Sequence, residues 1–450
     1  LVKLFATPSE KDYMSTPEMN TAMSGTLTES LLQVNQLSYR LPPQISIASK
    51  CTHVINYSQQ SSYVGGNTMI FDIQTGSAFV DPHASYFRFT VKPADSLHSF
   101  GSGSVGNLFT RVVVRTATGK ELSRVEDANL LIKTLDLYDN SYDWKSTLGG
   151  AQGYTSADPT ATSYAGLIPS TGKVFIIPFQ TVMPCMSPHG AKLVPPNIMS
   201  GLRIEITLAS ANDAFCSGNQ GALTSLASYE VLGVEAHLKT HDLADAFQRK
   251  IQEMSVQGLN YLFKEHFHTI VSPGTGSTNI NFDVKKACSK ALSARIVSRL
   301  ATDLTTAGKD RMASYKFNYL SHQAKVGSDY FPNAPLAISA TPSLDNVNEA
   351  YYYSLYAQDK LEKWNPPGVS VVEFLGAAPT GADTDVYSSG IIAYNLNKSN
   401  VSDMAGYTIS NSRALLVDLQ QATAENVRLD VYLTFLRLAK VYQSNCVVLD

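Results

Sequence analysis

The chain has 450 residues and a formal net charge of −3, with only 16% of its residues charged against about 25% in average soluble proteins. That length exceeds what one hydrophobic core organises and favours two domains of roughly 200 residues. The near-neutral balance gives no concentrated basic surface for nucleic acid, and no run of about 18 apolar residues exists to span a membrane as a helix.

Residues 1–35 are rich in Ser, Thr, Met and Glu without periodicity, and read as an arm that orders only against a partner. The chain starts at Leu1 rather than Met and carries no signal-peptide pattern, so a missing or processed N-terminus is expected. From about residue 50, short alternating segments are separated by Gly, Pro, Asn and Ser. Met69, Phe71 and Ile73 share one face, as do Phe87 and Phe89. Period two with one apolar face predicts half-buried strands, and many of them with turn-rich spacers predict sandwiches or barrels. The Gly/Ser stretch 101–106 lacks the lysine and following helix of a phosphate loop and reads as a flexible turn. Leu122, Val125, Asn129 and Ile132 recur at helical spacing, which places Glu126-Asp127 on the solvated face of an amphipathic helix.

Leu202, Ile204, Ile206 and Leu208 alternate with polar residues and predict another strand. A second helix is marked by Leu243, Phe247, Ile251 and Met254, with Asp242 and Asp245 resembling a capping box, near the middle of the chain where a connector belongs. His266 and His268 share a strand face, as do His237 and His241, but neither pair has the further ligands a metal requires, and no metal or cofactor is expected. A third helix carries Val347, Tyr351 and Leu355 behind Ser343 as N-cap. Its tyrosines Tyr351, Tyr352, Tyr353 and Tyr356 suit either a subunit interface or packing within the domain. Leu429, Val431, Leu433 and Phe435 predict a late strand. Five cysteines (Cys51, Cys185, Cys216, Cys288, Cys446), odd in number and without CxxC spacing, point to free thiols. Sequons at Asn56, Asn397 and Asn400 matter only for a secreted chain.

The two halves echo each other. Phe71-Asp72-Ile73 returns as Phe282-Asp283-Val284, and Leu122-x-x-Val125 with its acidic pair as Leu344-x-x-Val347-Asn348-Glu349. Ser170-Thr171-Gly172 returns as Ser388-Ser389-Gly390, and the strand after Gly201 as the strand after Ser412. Four echoes in one order predict a duplicated domain of strands, one helix and more strands.

Residues 323–335, QAKVGSDYFPNAP, followed by DNVNEAYYYSLYA, resemble segments of the double jelly-roll major capsid proteins of polinton-like viruses, adintoviruses and virophages. The matching positions are Lys325, Val326, Gly327, Ser328, Tyr330, Phe331, Pro332 and Pro335; that family more often has Arg at Lys325 and an aromatic at Ala324. GLRIEITLA with YEVLGVEAHLKTHDL, and VRLDVYLTFLRLAKVY, are similar to the ends of the family's two rolls. The resemblance implies an all-β fold with short helical insertions, two tandem eight-stranded jelly-roll sandwiches. The expected division is an arm at 1–35, a first roll at 36–243, a helical connector at 244–262 and a second roll at 263–450. It implies a non-enzymatic structural protein of a DNA virus. The chain would form a homotrimeric, pseudo-hexagonal capsomer of an icosahedral shell, assembled inside the infected host cell and located in the virion. Expected partners are itself, neighbouring trimers and vertex (penton) and minor capsid proteins, without direct nucleic-acid binding. Within the motif, Gly327 is expected to permit a special backbone geometry, Pro332 and Pro335 to hold an extended turn, and Lys325 to be either an intersubunit ion-pair partner or a solvated lysine. From the residues alone, a two-domain β-sandwich carbohydrate-binding protein is the alternative.

Overall fold

The computed structural model describes residues 48–449, apart from 155–165, 189–192, 220–222, 275, 339–342, 345, 360, 362–366, 377–386, 399–404 and 443–445. The expected arm at 1–35 and the sequon at Asn400 lie outside the described residues.

Sixteen strands build the frame. The first eight are β1 (Ala48–Tyr57), β2 (Thr68–Ile73), β3 (Phe79–Pro93), β4 (Phe109–Arg115), β5 (Glu121–Glu126), β6 (Lys173–Pro178), β7 (Leu202–Leu208) and β8 (Tyr229–Leu243). They form two antiparallel sheets of order β1-β8-β3-β6 and β2-β7-β4-β5. The second eight are β9 (Leu259–Val271), β10 (Asn279–Val284), β11 (Cys288–Leu300), β12 (Tyr319–Val326), β13 (Asp329–Ala337), β14 (Ile392–Asn395), β15 (Leu415–Gln421) and β16 (Val427–Val441). Their sheets run β9-β16-β11-β14 and β10-β15-β12-β13, the same permutation shifted by eight strands. In each set the chain passes from one sheet to the other and closes with the last strand beside the first. That is a jelly roll, present twice in tandem.

Alternation explains why the sheets pair face to face. Along β7 the pattern Leu202, Ile204, Ile206, Leu208 is buried while the residues between are half-buried. Met69, Phe71 and Ile73 of β2 oppose this row in register. The Phe71 ring reaches Phe87 of the other sheet at 5.2 Å, and Phe89 reaches Phe109 at 5.9 Å, so aromatic contact fills the space between sheets. In the second roll, Tyr394 of β14 bonds His322 of β12 across the core at 3.2 Å, and burial holds that imidazole neutral, down at about 4.

Three helices match the expected places, with corrected starts. Helix α1 (Ala128–Asp139) begins after β5, so Leu122 and Val125 stand on a strand rather than a helix. The spacing misled because Leu122 and Ser123, on opposite faces of the strand, are both buried, which breaks period two at that point. Helix α2 (Asp245–Gln257) follows Ala244, which is its N-cap, and Asp242 belongs to β8. It separates β8 from β9, whose start at Leu259 falls inside the stretch expected as connector. Helix α3 (Asn348–Ala357) begins after Val347, and Ser343 instead anchors the preceding turn, its carbonyl accepting from Asn346 and Val347. Three of the four echoes land on equivalent elements: β2 with β10, the approaches to β6 and β14, and β7 with β15. In the fourth, Leu122 is on a strand whereas Leu344 is in a turn. Cys51, Cys185, Cys216 and Cys288 are free thiols.

Candidate functional site

The sequence motif at 325–335 forms a hairpin at a sheet edge. Val326 pairs with Asp329, Lys325 with Tyr330 and Ala324 with Phe331, leaving Gly327-Ser328 as a two-residue loop. Gly327 has φ +66°, as the first central residue of a type II′ turn requires. Pro332 and Pro335 lie in β13 itself rather than in a turn. That strand is the edge of its sheet, where a residue without an N–H leaves no ladder bond unmade and discourages a foreign strand from pairing. Lys325 Nζ sits 5.9 Å from the centre of the exposed Tyr330 ring, Phe331 meets Tyr407 edge-on at 5.0 Å, and Asp329 pairs with Arg413 at 3.1 Å. The motif residues are thus brought together as a hairpin whose outer side faces solvent.

A second group of residues, whose convergence the sequence did not show, joins the two rolls. Asp127, left-handed at φ 44°, ends β5 and starts α1; its carboxylate pairs with Arg428 of β16 and its carbonyl accepts from Tyr432 at 2.8 Å. Arg428 also reaches Asp430 at 2.7 Å, Arg299 Nη2 reaches the same carboxylate at 2.7 Å, and His268 lies 3.1 Å from it. Burial alone would lift the fully buried Asp430 carboxyl, but Arg299, His268 and Arg428 outweigh it and hold it at about 2. Next along the seam, Ser123 donates to Glu265 at 3.1 Å and Arg437 donates to the Leu122 carbonyl at 2.9 Å. Burial pushes Glu265 up to about 7 against the pull of Ser123 and Arg437. Lys133 of α1 donates to the Met312 carbonyl at 2.6 Å, and burial draws its ammonium down to about 8. Tyr138 donates to the Ser389 carbonyl at 3.0 Å, and Lys145 pairs with Glu373 at 2.8 Å.

The Gly/Ser stretch at 101–106 also belongs to this seam. Its residues are buried rather than flexible; Ser102 donates its N–H to Asp310 at 2.8 Å, and Ser104 caps the short 3-10 helix Val105–Leu108. Likewise Asp127, expected on a solvated helix face, is a half-buried link between rolls. Asp127, His268 and Asp430 are the group of three ligand-type residues that converge among the described residues. Guanidinium already fills the position between these carboxylates, since Arg428 bonds both of them. His266 turns away to Thr434 at 3.0 Å, and burial keeps it uncharged, well below the ordinary histidine range. The seam's chemistry is therefore paired charge and hydrogen bonding that fix one roll on the other.

On the first roll the corresponding sheet face carries a row of bonded side chains, with His237 buried and Arg88 half exposed. Arg88 of β3 donates to Glu235 of β8 at 3.0 Å, Glu235 bonds His237 at 2.9 Å, and His237 bonds His53 of β1 at 2.8 Å. Tyr86 stacks on His237 at 4.7 Å. Beside this row Ile55 is 41% and Tyr57 69% exposed. The tyrosines of α3 divide: Tyr351 donates to the Val369 carbonyl at 2.7 Å, while Tyr352 is 53% exposed.

No family model and no curated protein matches the chain. Solved structures do. The quasi-atomic model of the PBCV-1 virus capsid is similar at TM-score 0.60 and 11% identity, over 92% of this chain and 99% of that one. The Sputnik virophage cryo-EM structure is similar at TM-score 0.58 and 10% identity, over 94% and 92%. The Faustovirus major capsid protein is similar at TM-score 0.54 and 9% identity, over 95% and 94%. At these identities the likeness is one of fold, and it spans both rolls.

Proposed function

We propose that this chain is a non-enzymatic major capsid protein, and that three copies form a pseudo-hexagonal capsomer of an icosahedral virus shell. The observation that carries this reading is the pair of equivalent rolls locked side by side by a buried ionic seam. A duplicated, rigid unit presents similar flanks at each half, so three copies about a threefold axis place six rolls in a near-hexagon and tile a surface with few distinct contacts. The fold shared with the PBCV-1, Sputnik and Faustovirus capsid structures over more than nine-tenths of this chain supports the same reading.

In this reading residues 36–243 and 259–450 act as the two rolls, the helix-bearing stretch between them as their connector and 1–35 as an arm toward a neighbour. The hairpin of Lys325, Gly327, Ser328, Tyr330, Phe331, Pro332 and Pro335 serves as a structural or interface element at an exposed edge. Partners are copies of the chain, neighbouring trimers, and vertex and minor capsid proteins, in a virion assembled within the infected cell. Native mass measurement of the full chain is expected to give about three times 48.8 kDa, and electron microscopy to show hexagonal particles. A stable monomer under assembly conditions overturns the reading.

A further inference from the structure

The seam holds two buried arginines, four residues apart on one face of β11, and they are satisfied differently. Arg299 is paired with the buried Asp430 carboxylate at 2.7 Å. Arg295 is just as buried, at 6% exposed, but among the described residues it meets only neutral acceptors. Its Nε donates to the side-chain oxygen of Gln358 and its Nη1 donates to Thr434 Oγ1 at 3.0 Å, which engages two of its five N–H groups. Gln358, also 6% exposed, has a deficit of its own: its Nε2 is buried and meets no acceptor among the described residues. Burial weighs against the charge on Arg295, and Asp139 offsets that from beyond ion-pair distance. A desolvated guanidinium facing neutral oxygens calls for an anion.

Both residues line a cavity of about 210 Å³ where α1 of the first roll meets β9, β11 and β16 of the second. That is smaller than the roughly 300–1,000 Å³ of sites for drug-sized ligands, so the occupant is small. The walls are largely apolar, with Leu131, Ile132 and Leu135 from α1, Val182 from the segment before β7, and Leu292 from β11. The buried lining, Arg295 and Gln358 with the uncharged His266 beside them, forms the base. The exposed lining residues Lys264, Asp139 and Asp359 mark the mouth. One end of the cavity therefore offers a fixed positive charge and an amide donor, and the middle offers hydrocarbon.

We infer that this cavity binds a small monocarboxylate with an apolar body, its carboxylate on Arg295 and Gln358 Nε2 and its hydrocarbon against Leu131, Ile132 and Leu135. The planar guanidinium matches a carboxylate in shape, and a charge-assisted bond supplies what the two neutral acceptors do not. A multiply charged oxyanion such as phosphate fits less well, because it brings further negative charge toward Asp139 and Asp359 and has no apolar part for the walls. The ligand would touch residues of both rolls at once, so its binding free energy adds to the hold of one roll on the other. The site lies within one chain, and it stands whether or not three copies form a capsomer.

The test is titration calorimetry of the full chain at fixed ionic strength with hexanoate, 1-hexanol, phosphate and sulfate. Hexanoate is expected to bind the wild type at least about tenfold more tightly than the alcohol, as bonds to a charged group imply, and more tightly than either inorganic anion. It should also raise the thermal midpoint in a concentration-dependent way. Arg295→Gln should weaken hexanoate binding by about tenfold or more. That variant also loses the bond to Thr434, so Asp139→Asn, at the exposed mouth, provides a second reading. Removing the rim charge should tighten hexanoate about threefold at low salt, a gain that damage to the fold does not produce. Hexanoate that binds no better than hexanol, binding that both variants leave unchanged, or a preference for phosphate or sulfate overturns the inference. None of these results touches the shell reading, which native mass decides.

Discussion

Replacing Glu265 by Gln tests whether the seam between the rolls behaves as its burial dictates. Glu265 is 3% exposed, and its carboxyl titrates at about 7 instead of the ordinary 4.5. That displacement corresponds to about 3 kcal/mol between the protonated and ionised folded forms. Because the folded value is raised, the contribution to stability is fully present below 4.5, where folded and unfolded chains are both protonated. It is lost as pH rises through about 7, when a charge must be carried in a buried site where Arg437, 3.6 Å away, does not offset the burial. Glutamine keeps the oxygen that accepts from Ser123 and carries no charge at any pH. The variant should therefore match the wild type near pH 4 and exceed it by about 3 kcal/mol near pH 8. Urea unfolding of the full chain at the two pH values, followed by the fluorescence of buried Trp144, measures the difference directly. A stability difference that is the same at both pH values, or a variant weaker at the higher one, refutes the electrostatic account of the seam.

Asp430→Asn should act in the opposite sense. It leaves Arg299 and Arg428 without their shared carboxylate and should cost about 3–5 kcal/mol at neutral pH, read as a drop in urea midpoint. In the wild type this carboxylate contributes above its ordinary 3.8, and the contribution is lost as pH falls through about 2. Gly327→Ala should cost about 1–2 kcal/mol in thermal unfolding, since φ +66° disfavours a side chain. Its new Cβ would also lie 2.9 Å from Arg413 Nε.

The strands were legible wherever one face meets the core and the other meets water. Met69, Phe71 and Ile73, or Leu202 through Leu208, alternate because only one side of each strand is buried. The last long strand also alternates, Leu429, Val431, Leu433 against Arg428, Asp430, Tyr432, and reads as half-buried. Both of its faces are in fact covered, and Asp430 and Tyr432 are 0% exposed. Polar residues there mark a joint between domains rather than a solvated surface, and no local pattern separates the two. Asp127 and Arg428 are 301 positions apart, so nothing short of the fold brings them together. A weak signal existed in the arginine, acid and tyrosine concentrated on an otherwise apolar strand.

The same separation sets an order of events during synthesis. The first roll closes when β8 pairs with β1, well before the second is complete. The joint between rolls waits for β16, the strand that supplies Arg428, Asp430, Tyr432 and Arg437. A chain truncated before that strand can hold a finished first roll yet leaves Asp127 and Ser123 with no roll to grip. Completion of the polypeptide is thus read out in the joint between the rolls, which forms only once the last long strand is made.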